Sequence, residues 1–211
     1  MMLVSTDMNA SVGAQAKKRH YRMRARAASI AETGERILRA VLDLHLERFH
    51  DQITLEDVAD RAGVTVQTVL RRFGSKDALI AAAAERASAE VRSQRMAAPV
   101  GDIPAAVDNL LDHYDVTGAS ALRLLAQEDR VPQLREIADR GRKIHYEWVE
   151  RTFAPFLKNR DGHERLRAQL IAISDVYTWK LLHLDLGLDR AETRSTLIDT
   201  IQSVVNKGGS P

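Results

Sequence analysis

A short run of polar side chains offers hydrogen-bonding groups of the kind that read DNA. Its members are Thr65, Gln67, Thr68, Arg71 and Arg72. Glutamine and threonine can hydrogen-bond base edges, and arginine suits phosphates or guanine. Apolar residues at helical spacing lie between them, so the polar residues should share the outer face of a helix. A helix that only filled a core would not need such a face, and the pattern indicates contact with nucleic acid.

The elements that must position this face are two short helices separated by one glycine. Thr54 has the features of an N-cap, with Asp57 at the capping-box position. Gly63 ends the first helix, and Thr65 caps the second. Residues 54–73 therefore predict a helix-turn-helix, whose second helix presents its first residues to a major groove. Helix–glycine–helix is a common pattern, so on its own it leaves the function open.

Apolar stripes of helical spacing cover most of the chain. In the N-terminal part they predict a helix from near Thr33 to about residue 49 and a fourth helix capped by Ser75, followed by a connector at residues 96–104. After the connector they predict a helix that ends near Gly118, a short helix at Leu122 and Leu125, and a long helix that ends near Pro155. The last two predicted helices are a continuous one over residues 166–186 and one at residues 197–204. No segment alternates as a strand does. The predicted fold is all-α.

Composition narrows the class of protein further. The chain has 211 residues, 45% of them hydrophobic, so it can form a substantial core. There is no cysteine, which excludes disulfides and thiolate metal sites and fits a cytoplasmic protein. No apolar run reaches the roughly 18 residues needed to cross a bilayer, and no secretory signal is visible.

Charge is unevenly distributed along the chain. Residues 17–95 hold 16 Lys and Arg against 11 Asp and Glu, whereas residues 101–211 hold 15 against 17. Residues 17–26, KKRHYRMRAR, contain six Lys or Arg. This basic arm is either a solvated helix extension or solubility tail, or a segment that reaches DNA phosphates. We expect residues 1–26 to be a flexible basic tail.

The sequence of residues 32–80 resembles the DNA-binding domain of the tetracycline-repressor (TetR) family of transcriptional regulators. The resemblance rests on ETGERILRAVLDL, TLEDVADRAGV and TVLRRFGSKDALI. It implies a DNA-binding domain at residues 27–75 and a ligand-binding and dimerisation bundle at residues 76–211, where the sequence signal itself is generic. The DNA-binding residues that it and the polar face imply are Thr54, Thr65, Val66, Gln67, Thr68, Arg71, Arg72 and Lys76.

Two positions depart from the family pattern. The family usually has an aromatic residue, most often tyrosine, at the position of Leu70, and its hydroxyl contacts a phosphate. Leucine cannot make that contact, so we expect Arg71 or Arg72 to replace it. The glycine–aromatic pair that usually ends the first helix is replaced by Phe49 and His50, which should change the loop but not its role.

Catalytic, metal and cofactor motifs are not found in the sequence. No HExxH, GxSxG, GxGxxG or P-loop occurs, and the seven histidines lack the spacing of a helical metal site. We therefore expect no enzyme activity, no metal and no cofactor. The predicted bundle does contain polar aromatic residues that could line a ligand cavity, although each could equally be ordinary core. The candidates are His113, Tyr114, Tyr146, Phe153, Tyr177 and Trp179.

The sequence thus predicts a homodimeric regulator that binds double-stranded DNA. Helices apolar on more than one face near the C-terminus would form the dimer interface, and two-fold symmetry would match a pseudo-palindromic operator. A small-molecule ligand in the bundle would release a repressor from DNA. Two alternatives remain open: a DNA-binding regulator without a ligand, and a helical enzyme or structural protein with a basic tail.

Overall fold

Every regular element in the computed structural model is helical over the residues that it describes, 7–158 and 162–206. The helices are α1 (Asp7–Glu47), α2 (Leu55–Ala62), α3 (Val66–Phe73), α4 (Lys76–Met96), α5 (Ile103–Leu125), α6 (Pro132–Thr152), α7 (Ala154–Leu157), α8 (His163–Ile173), α9 (Val176–Trp179) and α10 (Arg190–Asn206). A 3-10 turn (His50–Gln52) precedes α2, and a π-helical segment (Lys180–Asp185) continues α9. The predicted all-α class is confirmed.

Two hydrophobic cores organise these helices. The first core joins α1, α2, α3 and the beginning of α4 around Ile37, Leu44, Val58, Val69 and Leu79. The second core joins α5 to α10, and its largest buried side chains include Trp148 and Phe153. Helix α4 starts in the first core, and Met96 at its end packs against the second. With 21 residues it spans about 30 Å, so it connects the two cores as one rigid element.

The predicted helix caps of the helix-turn-helix are confirmed. Thr54 accepts from the Asp57 amide, and the Asp57 carboxylate accepts from the Thr54 amide in return. Gly63 takes the left-handed conformation (φ 65°) that ends α2, and Thr65 caps α3. Ser75 caps α4 by accepting from the Ala78 amide. Local side-chain chemistry therefore sets the boundaries of these short helices.

The predicted start of the first helix is wrong. Helix α1 begins at Asp7 and not near Thr33, so residues 7–26 of the expected tail are helical here. Residues 8–32 contain no proline and are rich in alanine and arginine, which favour helix, and the chain therefore extends the helix that begins the first core. Residues 1–6 of the predicted tail lie outside the described residues.

Two predictions for the second core are also corrected. Helix α5 runs through Gly118 to Leu125. Gly118 makes room for Trp179, because an added Cβ would lie 2.5 Å from its ring. The expected continuous helix over residues 166–186 is broken instead. Ser174 ends α8 with its hydroxyl on the Leu170 carbonyl (2.6 Å), and Asp175 caps α9. The glycine inside α5 is explained by a tertiary contact, and the break between α8 and α9 is explained by local capping.

Candidate nucleic-acid interface and bundle core

Helix α3 is anchored on one side and exposed on the other. Val69 is 1% exposed in the first core, and Val66 and Phe73 pack partly against it. Gln67 and Arg71 are exposed on the opposite face. At the start of the helix the Thr65 hydroxyl accepts from the Thr68 amide (3.2 Å), so the first turn is held in place.

Helix α2 is tied to α1 by charged side chains. Arg61 makes two hydrogen bonds to the Glu47 carboxylate, at 2.9 and 2.8 Å. Arg48 donates to Asp57 at 3.0 Å. Hydrogen bonds from Thr54 and from Arg48 lower the pKa of Asp57, which therefore stays ionised at neutral pH. These links fix α2 against α1, and the tight turn after α2 then fixes α3.

The predicted DNA-binding residues differ in their position and in their contacts with the rest of the protein. Thr54 and Thr65 are exposed at helix N-termini, where free amides suit a phosphate. Arg71 is exposed and makes no ion pair with any residue in the described ranges. Lys76 lies in the first turn of α4. Burial of the rings, and to a lesser extent the positive charge of Lys76, lower the pKa values of His45 and His50.

Two of the predicted contacts are placed differently from the expectation. The Arg72 guanidinium lies across Gly34 of α1, where an added Cβ would come within 2.3 Å of its Nε. Arg72 therefore packs on α1, whereas the Arg71 side chain is exposed to solvent. Val66 is half-buried against the first core. Leu70 is 39% exposed on the outer face and presents an apolar side chain where the family pattern has a hydroxyl.

The basic arm is part of α1, and its described side chains face solvent. Arg24 and Arg26 are exposed, as is His20. They extend the positive charge of the N-terminal domain along one helix. Because exposed arginines beside a DNA-reading helix attract phosphates, this helix enlarges the basic surface.

The structure brings together four of the six predicted ligand-binding residues. The ring of Tyr114 lies 5.4 Å from that of His113 and 5.7 Å from that of Trp179. Phe153 makes an edge contact with Trp148 in the same core. Tyr146 and Tyr177 lie at the surface instead, 36% and 56% exposed.

Arg95 is a member of this cluster that the sequence did not reveal. It is only 2% exposed, and its guanidinium carbon lies 4.0 Å from the centre of the Trp148 ring. Burial lowers the pKa of Arg95 to about 10, so it remains charged at neutral pH. The sequence signal was its position on the inner face of α4, because Arg95 follows Ala84 by eleven residues and Val91 by four, and both spacings are helical repeats.

The two histidines of the cluster are neutral. Burial and the charge of Arg95 lower the pKa values of His113 and His145 to about 4. Nη2 of Arg95 lies 2.8 Å from Nδ1 of His145, and because arginine can only donate, Nδ1 accepts. The His145 proton is therefore on Nε2, which lies 3.3 Å from the Ile171 carbonyl oxygen.

None of the helices in the described ranges is long and apolar enough to cross a membrane. Within those ranges, no three acidic or histidine side chains come together as metal ligands would.

Comparison with known proteins gives a family for the N-terminal domain. Residues 37–83 match the family model described as bacterial regulatory proteins, tetR family. None of the curated protein sequences matches the chain significantly.

Solved structures resemble the whole fold. A transcriptional regulator from Rhodococcus sp. Rha1 superposes with a TM-score of 0.67 at 18% identity, covering 84% of this chain and 98% of that one. A TetR transcription regulator from Haloarcula marismortui gives a TM-score of 0.59 at 17% identity, with 84% and 98% covered. Because the identities are only 18% and 17%, these similarities show the fold alone.

Proposed function

We propose that the chain is a transcriptional regulator of the TetR family, whose family model matches residues 37–83, and that it recognises one operator sequence through α3. The observation that carries the proposal is the exposed face of Gln67 and Arg71 on a helix that Val69 anchors. Gln67 reads a base edge, and Arg71 contacts a phosphate or guanine. Thr54, Thr65 and Lys76 hold the neighbouring phosphates, and the arm on α1 adds further backbone contacts.

The protein acts as a homodimer in this proposal. Four apolar side chains near the end of the bundle are half-exposed or more, which is costly for a monomer in water. They are Tyr177, Leu181, Leu184 and Leu186, with exposed fractions of 56%, 51%, 50% and 62%. A second copy of the chain covers this face, and two-fold symmetry then gives a pair of α3 helices for two half-sites of the operator.

A small molecule in the second core controls operator binding, and the protein is a repressor. A ligand can shift the dimer only by binding one conformation better than another. Helix α4 is the element that carries the shift, because it belongs to both cores. Gln133 of α6 also donates to the Asp77 carbonyl oxygen near the start of α4, at 2.7 Å. Movement in the bundle therefore reaches the domain that contains α3.

Two other functions have specific tests. A regulator without a ligand would have its bundle filled by side chains, and a library of small molecules would then leave its thermal unfolding unchanged. A helical enzyme or structural protein would show no salt-dependent binding to DNA. Operator binding also implies a cytoplasmic location, where the chromosome lies.

Selection from random DNA duplexes tests the proposal. We expect the selected sequences to share an inverted repeat, with half-sites about one helical turn apart. The Gln67→Ala variant, selected in parallel, should lose information at one position in each half-site. Recovery of sequences without a common motif would refute a sequence-specific regulator, and a single unrepeated half-site would refute the dimer.

A further inference from the structure

The second core contains a buried positive charge with no negative partner. Arg95 is 2% exposed, and no carboxylate in the described ranges lies within ion-pair distance of it. Buried arginines normally pair with an acid, because an isolated charge loses its hydration without compensation. Stacking on Trp148 at 4.0 Å and the bond to His145 offset part of that loss. The arrangement is incomplete as an ion pair.

Unused hydrogen-bonding groups surround the same charge. Nη1 of Arg95 and Nε1 of Trp148 are both buried and have no acceptor among the residues that the structure describes. The Thr152 hydroxyl, one turn after Trp148 on α6, is also buried without a partner. Buried donors are nearly always satisfied in folded proteins, and here Arg95 and Trp148, which each have one without an acceptor, are in direct contact. Within the described part of the chain, these donors have no acceptor and the Arg95 guanidinium has no anionic partner.

The two histidines do not supply the missing group. Nδ1 of His145 already accepts from Arg95, and neutral imidazoles carry no negative charge. His113 is bonded to the Thr117 hydroxyl of its own helix. Both rings are only partly buried, whereas Arg95 is 2% exposed.

We propose that the bundle binds a small monocarboxylate, whose carboxylate accepts from Arg95 and Trp148 and whose apolar body lies among the core aromatics. The inference rests on the proposed ligand-controlled function and names the chemical class of the ligand. One negative charge matches one guanidinium. A dianion such as a phosphate ester would leave a charge uncompensated in an apolar core, because the neighbouring histidines are neutral.

Thermal unfolding with paired probes tests the proposal. The acids are butyrate, octanoate, laurate, benzoate and phenylacetate, each compared with its primary amide, and acetate and chloride serve as small anions. We expect at least one of the larger acids to raise Tm by about 5–10 °C at about 100 times its Kd. Its amide and the small anions should leave Tm unchanged. If every acid behaved as its amide, or if chloride alone gave the shift, the proposal would be overturned.

Variants identify the binding group. Arg95→Met keeps a similar length without the charge and should abolish the shift. Trp148→Phe removes the indole N–H donor while keeping an aromatic ring, and it should weaken acid binding by about tenfold. Arg92→Met is the matched control, because Arg92 is exposed on the same helix and pairs with Glu147. It should keep the full shift. An acid response that survives in Arg95→Met would place the ligand elsewhere.

Operator binding by the unaltered protein separates this inference from the function on which it rests. If the protein binds its operator and no acid stabilises it, the monocarboxylate inference fails and the regulator remains. If an acid stabilises the protein through Arg95 but no DNA sequence is preferred, the site exists and the proposed function fails.

Discussion

Arg123 of α5 donates from Nη2 to the carbonyl oxygen of Leu46, in the last turn of α1. The same nitrogen lies 3.4 Å from the His45 carbonyl oxygen. The last carbonyls of a helix have no partner within the helix, and a cation there also complements the helix dipole. A residue of the ligand-side bundle thus completes the end of a helix in the DNA-binding domain.

Removing the Arg123 cation should loosen α1 from the bundle. We expect Arg123→Met to lower the free energy of unfolding by about 1 kcal/mol and to increase amide exchange in the last turn of α1. Arg130→Met is the control, because Arg130 is exposed and has no ion pair among the described residues. Urea titration and hydrogen exchange measure both effects. Equal losses in the two variants would mean that the contact with α1 contributes nothing.

Glycine substitutions test the packing of Trp179 on α5. Gly118→Ala should destabilise the protein by about 1–3 kcal/mol, because the new Cβ would lie 2.5 Å from the Trp179 ring. Gly141 lies inside α6, and an added Cβ meets no atom within 4 Å. Gly141→Ala should therefore stabilise the protein, by up to about 1 kcal/mol. Thermal unfolding of the two variants distinguishes them, and a stabilising Gly118→Ala would contradict the close contact.

Stability should fall in mild acid because of the cluster histidines. Burial lowers the pKa values of His113 and His145 to about 4, whereas the unfolded chain has its ordinary value of about 6.5. Between these values the unfolded state binds more protons than the folded state, so stability is complete above about pH 6.5 and is lost as the pH falls.

The loss should be about 2 kcal/mol for each histidine at about pH 5. Urea midpoints measured across the window test this, with His145→Gln expected to show a shallower dependence. A stability that is the same at neutral pH and at about pH 5 would show that these rings are not held neutral.

Two substitutions on α3 should differ in kind. Gln67→Ala should cost about 1–3 kcal/mol on the operator and relax discrimination at the base that it reads. Arg71→Ala, one helical turn later, should weaken binding on all sequences alike if it contacts a phosphate, and it should reduce the salt dependence. Titrations with the operator and with single-base variants measure both. A uniform loss for Gln67→Ala would show that it reads no base.

The predictable parts of this protein are those set by local chemistry. Thr54, Gly63, Thr65 and Ser75 have short-range roles as caps, so the sequence alone located the helix-turn-helix. The fold class followed from apolar spacing. The start of α1 was predicted wrongly because its first residues lie outside the core. They favour helix by propensity alone and have no apolar stripe that would mark it.

The second core depends on contacts between distant residues. Gly118 reads as a helix end until Trp179, 61 residues later, is seen to occupy the space of its missing side chain. Arg95 reads as a surface charge until Trp148 and His145 are seen to enclose it. Tyr177 lies on the outside, in the short helix α9 that follows the break at Ser174.

The most direct test of the central claim is binding of the purified protein to the DNA upstream of its own gene. A shuffled duplex of equal length serves as the control, and both are titrated at two salt concentrations. We expect at least a hundredfold preference for the native duplex, with affinity for both falling steeply as salt rises. Equal binding to the two duplexes would show that α3 binds this DNA only through its charge and does not recognise its sequence. Absence of binding to either would contradict the account.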